Sequence, residues 1–480
     1  MKKIACKTMV ALLSVSSMQV AMAQKGEKRK SPKPVNLVVF IADDLGAEDI
    51  GPYGNRVVRT PHLDKLAGES LLFSRAFACS PTSSPSRASI HTGMFPFRNG
   101  AHANHTGITE GVRTLPGYMQ KMGYRSAIAG KYHIGPIPAY PFEMIRATNV
   151  PEPGYEKKGV LWTDLKLDPV DQWLSEASSG KAPFLLVVND HSPHVVWPEK
   201  PEYEASDVDI PSRHIDTDIT RHTRARYYTD ITKMDRNVGK LLESLEKYGL
   251  AENTVFIFTC DQGPQWAFGK WGLYDYGIRV PMLVRWPGHI RGGTETHAMV
   301  SLADLLPTAM EIAGGTAPGA PGEIDGISFL PVLTGEKEMI RDCVFASHTG
   351  DGTMNMSPMR MIRTTRYKYI LNIAPEVLYT THMDKVGEPY WQSWKEASFK
   401  NEHAASVLWR YHNRPAEELY DILADPGEQR NLAGEKHYLE TLEGFRKMMA
   451  QWRLQQGDTE TAPYVVPPRQ GKEPVAPYIF

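Results

Sequence analysis

The sequence predicts an α/β domain built on a large, mostly parallel sheet between helices, followed by a smaller α+β domain. Two features carry this prediction. Nearly continuous apolar runs recur between residues 35 and 286, with helical patterns between them, as expected of strands buried on both faces and crossed over by helices. After about residue 340 the runs shorten and read as antiparallel strands with tight turns before a last helix.

Residues 1–23 read as an export signal. Lys2, Lys3 and Lys7 precede an apolar stretch ending in Ala21, Met22 and Ala23, a small-x-small cleavage pattern. Ser14, Ser16, Ser17 and Gln19 interrupt that stretch, which argues against a permanent anchor. Secretion across the inner membrane to the periplasm, with no membrane span after cleavage, is the expectation. A polar linker over 24–34 leads into VNLVVFIA (35–42), the first buried strand. Thr60 as cap and Pro61 at the first helical position open the helix in TPHLDKLAGESLLF. YRSAIAG (124–130), FLLVVN (184–189), TVFIFTC (254–260) and VPMLVRW (280–286) are further strands. The clearest helix covers about 224–249, where Tyr227, Ile231, Met234, Val238, Leu241 and Leu245 follow 3–4 spacing and Gly249 supplies the stop. Beyond residue 340, MRMIRTTRYKYILNI and EELYDILADPGEQRNLA read as antiparallel strands and a turn, and a helix follows over about 437–456. The α/β domain is therefore set at 24–340 and the C-terminal α+β domain at 341–480.

Composition narrows the function classes. A hydrophobic content of 41% and a charged content of 23% are ordinary globular values. The net charge of -1 gives no broad attraction to nucleic acid or to an anionic membrane, so anion handling must be local. Cys6 lies in the signal, and Cys79, Cys260 and Cys343 are an odd, widely spaced set rather than a disulfide framework.

The residues that follow the buried strands are the informative ones. Asp43 and Asp44 follow 35–42, Lys131 and His133 follow 124–130, Asp190, His191 and His194 follow 184–189, and Asp261 and Gln262 follow 254–260. Strand-end Asp and His often serve only turns and caps. In an open α/β sheet, however, ligands bind beyond the carboxyl ends of the strands, and all four clusters converge there. Asp43, Asp44, Asp261 and Gln262 offer oxygen ligands only, which suits calcium or magnesium rather than zinc. Arg87, Lys131 and Lys270 supply positive charge, and His133 and His194 can move protons. Together they describe a site for a sulfate or phosphate ester.

The stretch SSPSRASIHTG (83–93) completes the set. Pro85 suits a first helical turn and Gly93 closes the helix, which puts Ser83 at an N-terminus that favours an anion. A bare serine is a poor nucleophile and a poor metal ligand, so something must activate it or it must not remain serine.

SSPSRASIHTG resembles the signature of the formylglycine-dependent sulfatases, in its serine-type variant. The resemblance extends over nearly the whole mature chain: IADDLG and TCDQG are similar to the two metal motifs, GKYHIGP to the lysine-x-histidine motif, HSPH to the histidine before the leaving group, and KWGLYDYGIRVPMLVRWPG to the downstream basic residue. It implies the alkaline-phosphatase-like sulfatase fold. It also implies that Ser83 is oxidised to formylglycine by a radical-type sulfatase-maturing enzyme. One hydroxyl of the formylglycine hydrate then attacks sulfur, and the other later expels sulfate. Carried over residue by residue, Asp43, Asp44, Ser83, Asp261 and Gln262 hold calcium, with magnesium the alternative, and Ser83, Arg87, Lys131, His133, His194 and Lys270 are catalytic. The family usually has Asn where this chain has Gln262, one methylene longer. Within the family, SPMRMIRTTRYKYILN and RYHNRPAEELYD are similar to the heparan sulfamidase branch, which hydrolyses the N-sulfate of glucosamine. In FASHTGDGTMNMSPMR that similarity makes His348 and Asp351 candidate contacts to a sulfated glycan or monosaccharide. An O-sulfatase on glycosaminoglycan or mucin sugars, a phosphoester hydrolase using Ser83 unmodified, and a non-catalytic glycan-binding relative stay open. Trp197, Trp266, Trp271 and Trp391 offer faces for sugar stacking or for core packing.

Overall fold

The computed structural model describes residues 34–152, 163–318, 323–352 and 355–461. The export signal expected over 1–23 lies outside these residues. Among them, no helix is long and apolar enough to cross a membrane.

A nine-stranded sheet forms the centre. Its order is Thr294–Ser301, Leu71–Phe77, Met282–Arg285, Thr254–Cys260, Asn36–Ala42, Phe184–Asn189, Arg125–Gly130 and Glu143–Met144, with Arg279–Val280 paired off this path beside Leu71–Phe77. The four central strands are parallel; Met282–Arg285 runs antiparallel to both neighbours. Apolar runs become strands here because both faces are covered: every residue of Asn36–Ala42, Phe184–Asn189 and Thr254–Cys260 is buried. Phe40 stacks on Phe258 across the ladder.

Register is what positions the chemistry. Ala42 pairs with Cys260, Ile41 with Asn189, and Gly130 with Asn189. Four strands therefore end within one residue of level, and the residues after them leave the same edge. Gly130 is the tightest of these exits. Its φ is +77°, and a Cβ there would sit 1.9 Å from the Asn189 carbonyl oxygen. Gly130→Ala is expected to cost about 2 kcal/mol or more, measured as a lower urea midpoint at unchanged slope.

Helix Asp218–Lys247 begins six residues before the expected start, because Thr217 caps it by accepting from the Thr220 amide at 3.1 Å. That first turn is polar outside and carries no apolar rhythm to read. Thr60 precedes helix Pro61–Gly68 but makes no side-chain cap; its hydroxyl accepts from the Gly51 amide at 3.0 Å.

Beyond the large sheet, Cys343–His348, Met359–Thr364, Tyr367–Asn372 and Glu417–Asp421 form a four-stranded antiparallel sheet. Helix Leu439–Gln456 covers it through Phe445, stacked on Tyr369, and Trp452, stacked on Phe345. Helices Pro389–Ser398 and Glu402–His412 were not legible in the sequence. The first packs on the long helix, with the Trp394 indole donating to Thr220 Oγ1 at 2.8 Å. Cys79, Cys260 and Cys343 are free thiols.

Candidate active site

Asp43 and Asp44 leave strand Asn36–Ala42, and Asp44 adopts a left-handed φ of +63° that Asp tolerates better than most residues. Asp261 and Gln262 leave Thr254–Cys260 beside them, and the Asp44 amide donates to Asp261 Oδ1 at 3.2 Å. Carboxylate oxygens of Asp43, Asp44 and Asp261 lie within 4.8 Å of one another, all buried.

Helix Ser83–Thr92 runs into this cluster with every residue buried. Gly93 terminates it at φ +65°, its amide donating to the Ser89 carbonyl at 2.9 Å. The Ser83 hydroxyl donates to Asp43 Oδ1 at 3.4 Å and accepts from Gln262 Nε2 at 3.0 Å. One turn on, Arg87 Nε donates to Asp261 Oδ2 at 3.0 Å, its Nη1 donates to Asn189 Oδ1 at 2.8 Å, and its Nη2 lies 3.5 Å from Asp43. Lys131 donates to Asp43 Oδ2, and Lys270 to Asp44 Oδ2 at 2.6 Å. Three carboxylates are thus matched by three cations out of water.

Charge is distributed unevenly within the cluster. Burial alone raises Asp43, but Lys131, His194, Arg87 and Lys270 together hold it well below the usual carboxylate range. Burial wins at Asp44 despite Lys270, and pushes Asp261 up to about 6 despite Arg87. The residues fit a hard cation. The donors are all oxygen, and the Gln262 side-chain oxygen is buried with no hydrogen-bond partner among the described residues. Its Nε2 instead faces Asp44 Oδ1 and Ser83. Turning that amide over would direct its oxygen at the carboxylates.

His194 follows the strand Phe184–Asn189. Its Nδ1 contacts the Val195 carbonyl, so that nitrogen donates, and Nε2 stands 3.6 Å from Asp44 Oδ2. Burial, then Lys270 and Lys131, hold its pKa well below the histidine range. An anion that neutralised those lysines would raise it. His133 follows the strand Arg125–Gly130, and burial and then Lys131 lower its pKa too.

Behind His133 stands a group the sequence reading did not identify. His133 Nε2 is 3.0 Å from His105 Nδ1, and His105 Nε2 is 3.4 Å from Asp351 Oδ1. Asp351 Oδ2 accepts from Trp271 Nε1 at 2.8 Å and from Asn104 Nδ2 at 3.0 Å. Asn104 in turn accepts from the Ser84 amide and hydroxyl. Asp351 therefore reaches the catalytic edge through His105. Its Oδ1 is buried, faces His105 Nε2 and makes no hydrogen bond among the described residues. His348 ends its strand with Nε2 buried and without a hydrogen bond among the described residues, and burial lowers its pKa to about 4. His105 gave no signal because RNGAHANHTG has no strand or helix period to place it. Trp197 and Trp266 stack on each other at 5.2 Å and, with Trp391, belong to the core rather than to a sugar platform.

The chain matches the family model described as Sulfatase over residues 35–315, and the one described as N-sulphoglucosamine sulphohydrolase, C-terminal, over residues 263–385. It is 34% identical to an ulvan-active sulfatase of Formosa agariphila, over 89% of this chain and 81% of that protein. It is 30% identical to the human N-sulphoglucosamine sulphohydrolase, over 89% of this chain and 91% of that protein. A protein solved with its substrate D-glucosamine-2-N,6-O-disulfate superposes with a TM-score of 0.65 at 20% identity, covering 89% of this chain and 99% of that one. The phosphonate monoester hydrolase of Agrobacterium radiobacter superposes with a TM-score of 0.66 at 20% identity, covering 88% and 96%. These two establish the shared fold.

Proposed function

Because this chain belongs to the sulfatase family, we propose that it releases sulfate from a sulfated sugar, cleaving the N-sulfate of glucosamine in heparan-type glycans. The observation that carries the reading is Ser83 at the start of a buried helix, hydrogen-bonded to Asp43 beside a cluster of three carboxylates that Lys131, Lys270 and Arg87 engage. Ser83 is the residue proposed to become formylglycine, whose hydrate supplies the attacking oxygen. A calcium ion held by Asp43, Asp44, Asp261 and the Gln262 side-chain oxygen would supply Lewis acidity toward the sulfate.

The chain's own groups do the rest. Lys131 and Lys270 neutralise sulfate oxygens as charge shifts toward the leaving group, and Arg87 locks Asp261 and Asp43 in place. His194, its Nδ1 tied to the Val195 carbonyl, presents Nε2 to protonate the departing nitrogen or oxygen. His105 Nε2 lies between the Asp351 carboxylate, 3.4 Å away, and the Asn104 Nδ2 donor, 3.2 Å away, and the carboxylate charge favours a proton there when it prevails. In that tautomer His105 Nδ1 accepts from His133 Nε2 at 3.0 Å, and His133 keeps its lone pair on Nδ1, which is buried with no hydrogen bond among the described residues. A bare imidazole nitrogen is the form needed to take a proton and help eliminate sulfate. His105→Ala is expected to lower kcat by about 10²-fold with KM within about twofold; His105→Gln should restore part of the loss. A fall in KM-related binding with kcat intact would remove His105 from this role.

The N-sulfate reading is supported by the similarity to the human sulfohydrolase over nearly its full length and by the match to that enzyme's C-terminal family model. The higher identity to the ulvan-active relative favours a second reading, an O-sulfate on another polysaccharide. The test is sulfate released from N-sulfoglucosamine beside 6-O- and 2-O-sulfated monosaccharides, with the mass of the Ser83 peptide measured in the same preparation. Release from the N-sulfated sugar alone supports the first reading. Release from an O-sulfated sugar keeps the mechanism and discards the N-sulfate. No release from any, with formylglycine present, points to a larger or different glycan.

A further inference from the structure

A cavity of about 340 Å³ opens apart from the Ser83 centre, where Leu71–Phe77, the short strand Arg279–Val280 and the small C-terminal sheet come together. Four guanidinium groups line it: Arg75, Arg213, Arg279 and Arg363. In a chain of net charge -1 that is a local concentration of one sign.

The carboxylates nearby do not balance it. Glu48 is taken by Arg213. Asp275 lies 3.4 Å from Arg363 and 2.6 Å from Lys368, and Glu428 lies 2.7 Å from Lys368. Among the lining residues four guanidiniums thus face three carboxylates, two of which are also held by the buried Lys368, and burial raises Glu428 to about 7 despite that lysine. Arg75 and Arg279 have no ion pair among the described residues. Each makes one long hydrogen bond to a backbone carbonyl, Arg75 to His297 at 3.4 Å and Arg279 to Ser74 at 3.5 Å. The remaining cavity histidine, His297, is 3.5 Å from Glu295 at the solvent edge. Burial and then the Arg363 charge lower the pKa of Arg75, as expected when like charges face each other across a gap.

The walls are partly aromatic. Arg213 lies over the Tyr276 ring at 3.9 Å, and Phe268 and Tyr274 complete the apolar side. The Gly277 carbonyl, one residue beyond Tyr276, accepts from the Gly263 amide at 2.9 Å, next to Gln262. Cavity and catalytic edge therefore share a backbone support while presenting different side chains.

We infer that this cavity is a second oxyanion site, which takes a sulfate or carboxylate group, with Arg75 and Arg279 as its unpaired donors. Bidentate guanidinium contact suits both groups. The volume admits one sugar residue, with its less polar face against Phe268 and Tyr274. The sugar-borne source rests on the proposed function, since a polyanionic glycan would offer a second charged group to a site away from the reacting one. The oxyanion chemistry does not rest on it, because a free inorganic anion would satisfy the same donors.

Selenate, an isostere of sulfate with an anomalous signal, locates the site directly. Crystals of the full-length protein soaked in selenate at low ionic strength should show a selenium peak between Arg75 and Arg279, absent from the R75Q/R279Q variant. No peak in this cavity, or an equal peak in the variant, overturns the proposal. The variant should unfold at or above the wild-type temperature without ligand, since it removes facing like charges. A large drop would mean these arginines hold the fold, and would overturn the proposal too. A labelled sulfated tetrasaccharide separates the sources. An affinity weakened about tenfold per guanidinium removed, with turnover of a sulfated monosaccharide unchanged, assigns a sugar-borne group. A selenate peak with unchanged tetrasaccharide affinity assigns a free-anion site. The selenate result stands or falls independently of which sugar the catalytic centre cleaves.

Discussion

Ser83→Ala is expected to reduce sulfate release by about 10⁶-fold, the scale seen when a nucleophile is deleted, while the protein stays folded. The two halves have separate causes. The carboxylate cluster meets this hydroxyl: Gln262 donates to it, Asp43 accepts from it, and Lys131 and Lys270 hold Asp43 and Asp44. The fold depends on it far less. Helix Ser83–Thr92 is anchored by its buried face, by Ser86 Oγ donating to the Asp261 carbonyl and by the Gly93 terminus. Removing the hydroxyl loses two hydrogen bonds, but the Gln262 amide stays bonded to Asp44 and Asp43 stays bonded to Lys131, so the cost is about 1–2 kcal/mol. Thermal unfolding and released sulfate, measured on one preparation, check both halves. The wild type carries a sharper test. Turnover should scale with the fraction of Ser83 peptide that has the formylglycine mass. Full turnover from wholly unmodified serine would instead point to a phosphoester-type hydrolase using the hydroxyl itself.

The parts of this molecule that were legible in the sequence share a physical origin. FLLVVN and TVFIFTC are strands at the residues read, 184–189 and 254–260, because a strand buried on both faces has to be apolar throughout and must stop where a charge appears. The same logic exposed the carboxylates and histidines after the strands, since register sets the strand ends level. What the sequence concealed is non-periodic or depends on partners distant in the chain. Leu71–Phe77 and Thr294–Ser301 carry Ser74, Arg75 and Glu295 on partly exposed faces and show no continuous apolar run. Helix Pro389–Ser398 is fixed by the long helix it packs on, more than 140 residues earlier in the chain. His105 acquires its place only when residues 104–105 meet Asp351 and Trp271. Asn189 was read as the last residue of a strand, although its side chain holds Arg87. Arg87 itself was read for its charge, and its larger task is structural.

That task gives the second large effect. Asp261→Ala is expected to abolish turnover and also to cost about 3–5 kcal/mol, because it strands a buried guanidinium. Arg87 is 1% exposed, and Asp261 Oδ2 meets its Nε at 3.0 Å and its Nη2 at 2.9 Å. With Asp261 gone, Arg87 keeps Asn189 and a 3.5 Å approach to Asp43, and Asp43 is already engaged by Lys131. Asp43 would be drawn between the two cations, and the carboxylate cluster would open. Replacing both members, as Arg87→Met with Asp261→Leu, removes the stranded charge and fills the space with apolar atoms. The double variant should regain most of the lost stability, as buried pairs exchanged for well-packed apolar residues commonly do, yet remain inactive. Calcium separates the causes further. Wild-type unfolding should shift upward with calcium as RT ln(1 + [L]/Kd), whereas neither Asp261 variant should respond. If the double variant is as unstable as Asp261→Ala, the pair is not the stabilising unit. If Asp261→Ala keeps both turnover and the calcium response, Asp261 is not a metal ligand and the cluster must be rebuilt around Asp43 and Asp44 alone. The expected pattern would show that Arg87 and Asp261 are retained at this position for the reaction, at a cost in stability that an apolar pair would not incur.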